Sequence, residues 1–281
     1  MRIYLALFIF FFLSCSGNQK VSDAQSDENI ASAKIYKSEF QFIIDSFDVL
    51  GSILVYDLQN DSYYSNDFEW AQRGNLPAST FKIPNSIIGL ETGIIESDST
   101  MFKWNGDDRW NPLWERDLIL KEAFDLSCVP CYQELAREIG VQKMNDYIQK
   151  MNYGQIAVDQ KTIDNFWLHG KSRISQMQQI SFLRRFYQSK LPISDKTEKV
   201  MRELMVINQN DEYVLSGKTG LSNERDHCNG WFVGFLEMEN NTFFFATNVE
   251  PQEGIYNDGF NSARKDITLM ALEEMVPFDI K

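Results

Sequence analysis

The sequence predicts an α/β fold in which an antiparallel sheet assembled from both chain ends is flanked by helices, with a helical region inserted between the two groups of strands. Three observations predict it. Apolar, strand-like runs bounded by turn residues stand near residues 51–65 and again at 213–249. Between them, from about residue 79 to 205, the punctuation is that of helices: capping serines, a first-turn proline and terminating glycines. The 281 residues, 43% hydrophobic and 14% aromatic, suffice to bury one large core.

Taken in order, Gly51 to Asp57 reads as a strand, and Gln59-Asn60-Asp61 turns it into a partner at Ser62 to Ser65. A helix is predicted from Ser79 to Thr92, stopped by Gly93, with an irregular first turn because the Pro84 ring cannot donate an i→i−4 bond. Residues 97–116 mix Trp104, Trp110 and Trp114 with Asp, Asn and Gly, and read as a structured loop. Pro130 to Ile139 is a helix with proline in its first turn and Gly140 past its end. Further helices are expected at Gln142–Met151, from the cap Ser175 to about Lys190, and at Asp195–Leu204. Tyr213–Ser216 is strand-like, Gly230–Met238 and Thr242–Val249 pair around Asn240-Asn241, and a last helix covers about Ala263–Met275.

The first residues read as an address. Arg2 precedes an apolar run, Ile3 to Leu13, too short to span a bilayer but suited to a secretory signal over residues 1–14. Cys15, flanked by small residues, suggests a lipoprotein signal whose cleavage makes Cys15 the lipid-bearing N-terminus. A plain cleaved signal or an uncleaved anchor is the simpler alternative. Residues 15–33 then form a polar tether, and 34–281 the folded domain. The expected location is periplasmic or membrane-anchored, with membrane contact only through that lipid. The net charge of −13 and the lack of a basic run argue against a nucleic-acid partner. Oligomeric state leaves no mark on this sequence.

Three cysteines remain. Cys128 and Cys131 form a C-x-x-C, a spacing open to a local disulfide, a redox pair or half a metal site. No second pair stands at zinc spacing and the two histidines, His169 and His227, are far apart in sequence, so no metal is expected.

The chemistry centres on Ser79-Thr80-Phe81-Lys82. Serine and lysine three residues apart at a helix start share a face. The hydroxyl needs a base, and a lysine serves as one only if burial lowers its pKa. Phe81, Ile83, Ile87 and Ile88 predict that apolar setting. Alone, the tetrad is weak evidence and reads more simply as a capping serine and a solvated lysine. Four further stretches add weight: Ser127-Cys128-Val129 ahead of Tyr132-Gln-Glu-Leu-Ala-Arg137; Tyr153-Gly154-Gln155; Phe166-Trp167-Leu168; and Gly217-Lys218-Thr219-Gly220.

In this order and at these separations the stretches resemble the class D, oxacillinase-type serine β-lactamases, over nearly all of the chain from about Ile35 to the final helix. Ser-x-x-Lys with Lys-Thr-Gly marks the broader penicillin-recognising serine enzymes. The resemblance implies that fold and a β-lactam amide hydrolase conferring antibiotic resistance. Ser79 matches the acylated nucleophile. Lys82 matches a lysine N-carboxylated by CO2 into a carboxylate-like general base, with no other cofactor. Trp167 matches the tryptophan whose indole N–H holds that group. Ser127 matches a proton relay to the lactam nitrogen, and Lys218 a cation lining the site. Arg264, placed just before the last helix, matches the arginine gripping a substrate carboxylate. The backbone N–H groups of Ser79 and Leu221 are implied as an oxyanion hole, with Thr219, Gly220 and Tyr153 at the substrate. Val129 and Leu168 are implied as an apolar pair controlling water. Gln155 departs from the family's usual asparagine, and Cys128 from a small residue such as alanine. His169 reads as a loop residue.

Two alternatives share the Ser-x-x-Lys chemistry: a non-hydrolysing β-lactam sensor or penicillin-binding domain, and a D,D-peptidase. A single short apolar segment disfavours a membrane-transducing sensor, and Phe-Trp-Leu disfavours the peptidase. Two histidines and no Gly-x-Ser-x-Gly elbow leave little room for a Ser-His-Asp triad.

Overall fold

Two strand groups far apart in sequence close into one sheet. The computed structural model describes residues 32–224, 227–252 and 258–280. The expected signal, Cys15 and nearly all of the tether lie outside the described residues. In chain order the first group is β1 (Ala33–Tyr36), α1 (Ser38–Ser46), β2 (Val49–Asp57) and β3 (Ser62–Ser65). A 3₁₀ turn, Ala78–Phe81, leads into α2 (Lys82–Glu91). The helical region continues through β4 (Met101–Phe102), β5 (Leu118–Ile119), α3 (Leu120–Asp125), α4 (Val129–Ile139), α5 (Val141–Met151), α6 (Gln176–Tyr187) and α7 (Asp195–Met205). The chain returns as β6 (Val206–Gln209), β7 (Tyr213–Glu224), β8 (His227–Met238), β9 (Thr242–Pro251) and α8 (Asp258–Glu273).

The seven-stranded sheet runs β1-β3-β2-β9-β8-β7-β6. All pairs are antiparallel except β1 with β3, which makes the sheet mixed at one edge. The joint between the chain's two ends is β2 on β9, with Val55 opposite Phe245. Strand side chains alternate between faces, and here both faces are covered. Ile53, Val55, Phe232 and Phe245 pack with Phe40 and Ile44 of α1 and Ile267 and Leu272 of α8. Leu54, Tyr56, Trp231 and Ala246 face the helical region, whose core includes Ile87, Leu135, Ile148 and Phe182.

Several elements differ from expectation. The serine helix begins as a 3₁₀ turn and becomes α-helical only at Lys82. Pro84 therefore falls in the first turn of α2, where its missing N–H leaves no bond unmade. β7 does not end at Ser216 but runs to Glu224, so Lys218-Thr219-Gly220 lies inside a strand. The 221–229 stretch pairs in the β7–β8 ladder at its described residues. α8 starts at Asp258, earlier than the expected Ala263, so Arg264 lies in its second turn and not at its start. α6 is capped by Ser175, whose Oγ accepts from Gln178 N while Gln178 Oε1 accepts from Ser175 N. Among the described residues no helix is long and apolar enough to cross a membrane.

Candidate active site

The site forms where the Ser79 turn meets strand β7. Ala78 holds a left-handed φ of +50°, and its N–H donates to the Trp167 carbonyl at 2.8 Å, which tilts the turn and anchors it to the 166–168 stretch. Phe81 fixes the other side: it stacks on Trp167 at 5.9 Å between centroids and meets Phe166 and Tyr153 edge-on. Ser79 is left 8% exposed at the mouth of this apolar box, and Lys82, behind it, is fully buried.

Lys82 Nζ donates to Ser79 Oγ at 3.1 Å and lies 4.9 Å from the centre of the Tyr132 ring. Desolvation pushes its pKa well below the ordinary lysine value, and the charge of Lys218 pushes it the same way. Tyr132 is held in turn by its hydroxyl, 2.8 Å from Ser86 Oγ. The buried Trp167 Nε1 has no hydrogen-bond partner, an arrangement that protein interiors rarely tolerate without a purpose.

β7 supplies the facing wall. Gly220 packs against the turn so closely that a Cβ there would lie 3.1 Å from Thr80 Cγ2 and 3.2 Å from both Thr80 N and Pro77 O. Any side chain here would force the turn or the strand to give by a few tenths of an ångström. Two residues back, Lys218 Nζ donates to Ser127 Oγ at 2.5 Å. Burial, with the Arg264 guanidinium as the next cause and Asp125 opposing, brings the Lys218 pKa down to about 7. Arg264 is thus brought to the site electrostatically, and its Cδ would lie 3.5 Å from a Cβ on Gly230. β6 covers β7 only as far as Ser216. Near this uncovered edge a groove of about 300 Å³ is lined by Phe124, Asp125, Lys218, Thr219, Phe232 and Lys265.

The structure therefore brings together Ser79, Lys82, Ser127, Lys218, Thr219, Gly220 and Arg264, with Trp167 supporting the turn. Val129 and Leu168 are half-buried against the helical core, and Leu221 pairs with Gly230 in the sheet. Tyr153 is not where a substrate contact would stand. It is buried, its hydroxyl donates to Gln179 Oε1 at 3.3 Å, and Gln179 Nε2 donates to Thr80 Oγ1 at 2.9 Å. Tyr153 thus props the nucleophile turn from behind through Gln179. Gln179 carries no local sequence signal. Gln155 bridges to Arg173 through backbone bonds, N to O at 2.8 Å in both directions, so this segment is held by main-chain pairing that does not depend on the side-chain amide. His169 is exposed on its loop. Cys128 and Cys131 are joined by a disulfide, the first of the readings that the C-x-x-C spacing leaves open.

Residues 51–270 match the model of the penicillin-binding protein transpeptidase domain. The chain is 39% identical over 228 residues to the β-lactamase OXA-10 of Pseudomonas aeruginosa, covering 80% of this chain and 84% of that one. The chain belongs to the class D β-lactamase family. With the β-lactamase OXA-48 of Klebsiella pneumoniae it shares 38% identity over 200 residues, 71% of this chain and 75% of that protein. The solved class D β-lactamase FUS-1 (OXA-85) of Fusobacterium nucleatum subsp. polymorphum superposes with a TM-score of 0.81 at 32% identity, covering 85% of this chain and 98% of that one. The class D β-lactamase YbXI from Nostoc does so with a TM-score of 0.79 at 39% identity, covering 83% and 98%. The mixed sheet with its flanking helices is the fold of these class D enzymes.

Proposed function

We propose that this class D chain is an exported serine β-lactamase, hydrolysing the amide bond of penicillins and related β-lactams and so conferring antibiotic resistance. The observation that carries the reading is a fully buried lysine amine 3.1 Å from a serine hydroxyl. Ser79 Oγ attacks the lactam carbonyl, its proton leaving towards the Lys82 side chain. The C–N bond then breaks and the chain is acylated on Ser79. The lactam nitrogen takes a proton from Ser127, which Lys218 resupplies through the bond between them. Lys218 and Arg264 provide positive charge for the substrate carboxylate. The N–H groups of Ser79 and Leu221 are assigned to the carbonyl oxygen, donors typically worth about 2.7–4 kcal/mol each. Val129 and Leu168 limit water near Lys82.

The residues present fit an N-carboxylated Lys82. Only a neutral amine reacts with CO2, and desolvation holds Lys82 neutral. The buried Trp167 N–H without a partner is a donor available to the anion formed. That group supplies a carboxylate-like base for removing the Ser79 proton and for activating water in deacylation. Export rests on the apolar run Ile3–Leu13, and attachment to the membrane on lipidation of Cys15.

Steady-state turnover of a penicillin and a chromogenic cephalosporin, with and without bicarbonate, tests the reading. Wild type should hydrolyse both faster with bicarbonate, and Ser79→Ala should neither turn over nor gain the mass of a bound penicillin. Turnover by Ser79→Ala removes the assignment. Stable acylation of wild type without turnover makes the chain a sensor or penicillin-binding domain instead.

A further inference from the structure

The Cys128–Cys131 disulfide lies directly beside Ser127, and no step of the reaction uses either sulfur. Cross-links stabilise a fold most when they close long loops. This one joins residues only three apart, both buried, so global stability is where it contributes least. Its local effect is larger. Ser127 holds a φ of +52°, in the left-handed region that non-glycine residues occupy only when their surroundings enforce it.

Those surroundings are specific. On one side of Ser127 the Leu126 carbonyl accepts from Trp114 Nε1 at 3.1 Å. On the other side Cys128 N donates to Ala123 O at 2.8 Å, and Cys128 Sγ caps α4 by accepting from Cys131 N at 3.3 Å. Arg109 Nη1 approaches the same sulfur at 3.9 Å while donating to Trp114 O at 2.7 Å, so the rim segment carrying Trp114 clasps both neighbours of Ser127. The disulfide is the covalent member of this clamp.

We propose that the Cys128–Cys131 disulfide is a positioning device for the reaction: it locks Cys128 at the start of α4 and so holds Ser127 in its strained conformation with its hydroxyl against Lys218. The inference rests on the reading in which Ser127 passes a proton to the lactam nitrogen. Without the bond, Ser127 relaxes and its hydroxyl leaves Lys218. Acylation slows, while the Ser79–Lys82 pair, on a different element, keeps its geometry.

Two variants and one chemical treatment test this. Cys131→Ala removes the bond, and Cys128→Ser with Cys131→Ser removes it while leaving an oxygen to cap α4. Both should lower kcat/KM for a penicillin by about tenfold or more, as small misplacements at a reacting centre do. Both should also displace the limb of the pH profile that reports Lys218. Phosphine reduction gives the same comparison in a chain already folded. The bond becomes two thiols, the phosphine taking up a water oxygen, and reoxidation should restore the rate. Peptide mapping after alkylation without reductant should find Cys128 and Cys131 unmodified in wild type. Their modification, or variants with wild-type kcat/KM and pH profile, would overturn the proposal. So would a loss of rate that follows the thermal unfolding midpoint with no change in pH profile. Failure of wild type to hydrolyse the penicillin in the same series counts instead against the β-lactamase reading.

Discussion

Replacing Trp167 by phenylalanine separates the two jobs of this residue. The phenyl ring can keep the stack on Phe81, but the buried indole N–H is lost. Without CO2 that N–H has no partner, and a buried donor left unsatisfied costs about 1–3 kcal/mol. Removing it offsets the lost ring area, which at ~40 Å² and ~25 cal/mol per Å² amounts to about 1 kcal/mol. Stability of the CO2-depleted protein is therefore expected to change little. With CO2 the sign reverses, because the N–H is the donor assigned to the carboxylated lysine. A hydrogen bond to a charged group contributes about 1.5–3 kcal/mol. At about 1.4 kcal/mol per decade, half-saturating bicarbonate should rise about 10- to 100-fold. The assay is hydrolysis of a chromogenic cephalosporin by CO2-depleted enzyme titrated with bicarbonate at fixed pH, beside thermal melts with and without bicarbonate. Equal half-saturation in Trp167→Phe and wild type would refute the argument, since the indole N–H would then hold nothing.

The remaining expectations concern β7. Gly220→Ala places a methyl group 3.1–3.2 Å from Thr80 Cγ2, Thr80 N and Pro77 O, two of them backbone atoms that cannot swing away. Stopped-flow acylation should slow by about tenfold or more, and an unchanged rate would mean the turn yields without cost. Lys218 has a folded pKa of about 7 against about 10.4 for an unperturbed lysine. Between those values the unfolded chain binds the extra proton. This group's contribution therefore makes stability rise with pH over that window, by up to about 1.4 kcal/mol per pH unit, with its full penalty present below pH 7. Urea unfolding of CO2-depleted wild type and Lys218→Met at pH 7 and 9 reads the difference. Parallel shifts in the two proteins would refute the depressed value.

What the sequence reveals of this fold follows from burial. β2, β8 and β9 are covered on both faces, so they read as apolar runs, and α4 and α6 announce themselves through Gly140 and the Ser175 capping box. β7 is legible only at its start. Gly217, Lys218 and Gly220 interrupt the apolar pattern, and the strand persists because β8 pairs with it residue by residue, a tertiary effect overriding local preference. α1 lacks a side-chain cap, although Phe40, Ile43 and Ile44 carry the helical spacing that could have found it. At the site, residues that make local motifs were legible. Residues that act through space were not: Gln179 reaches Thr80 across 99 positions, and Tyr132 walls Lys82 with a ring that also reads as ordinary helix core.

The two buried lysines belong to one electrostatic chain. Arg264, always charged, depresses Lys218, and a charged Lys218 adds to the desolvation that depresses Lys82. Positive charge is thus least tolerated at the innermost amine, the one beside the nucleophile, and most tolerated at the groove. This gradient selects which lysine stays neutral: the Asp125 carboxylate opposes the shift at Lys218, and no carboxylate is among the causes acting on Lys82. Carboxylation of Lys82 gives Lys218 an anionic neighbour in place of a neutral amine, and the Lys218 pKa must rise as CO2 binds. Linkage requires the converse, that protonating Lys218 tightens CO2 retention at Lys82. Lys218→Met should therefore weaken bicarbonate activation, and it should flatten the dependence of that activation on pH near 7. Measured by the same bicarbonate titration at pH 6 and 8, an unaltered pH dependence in Lys218→Met would show that the two amines titrate independently, against the through-space coupling that their burial implies.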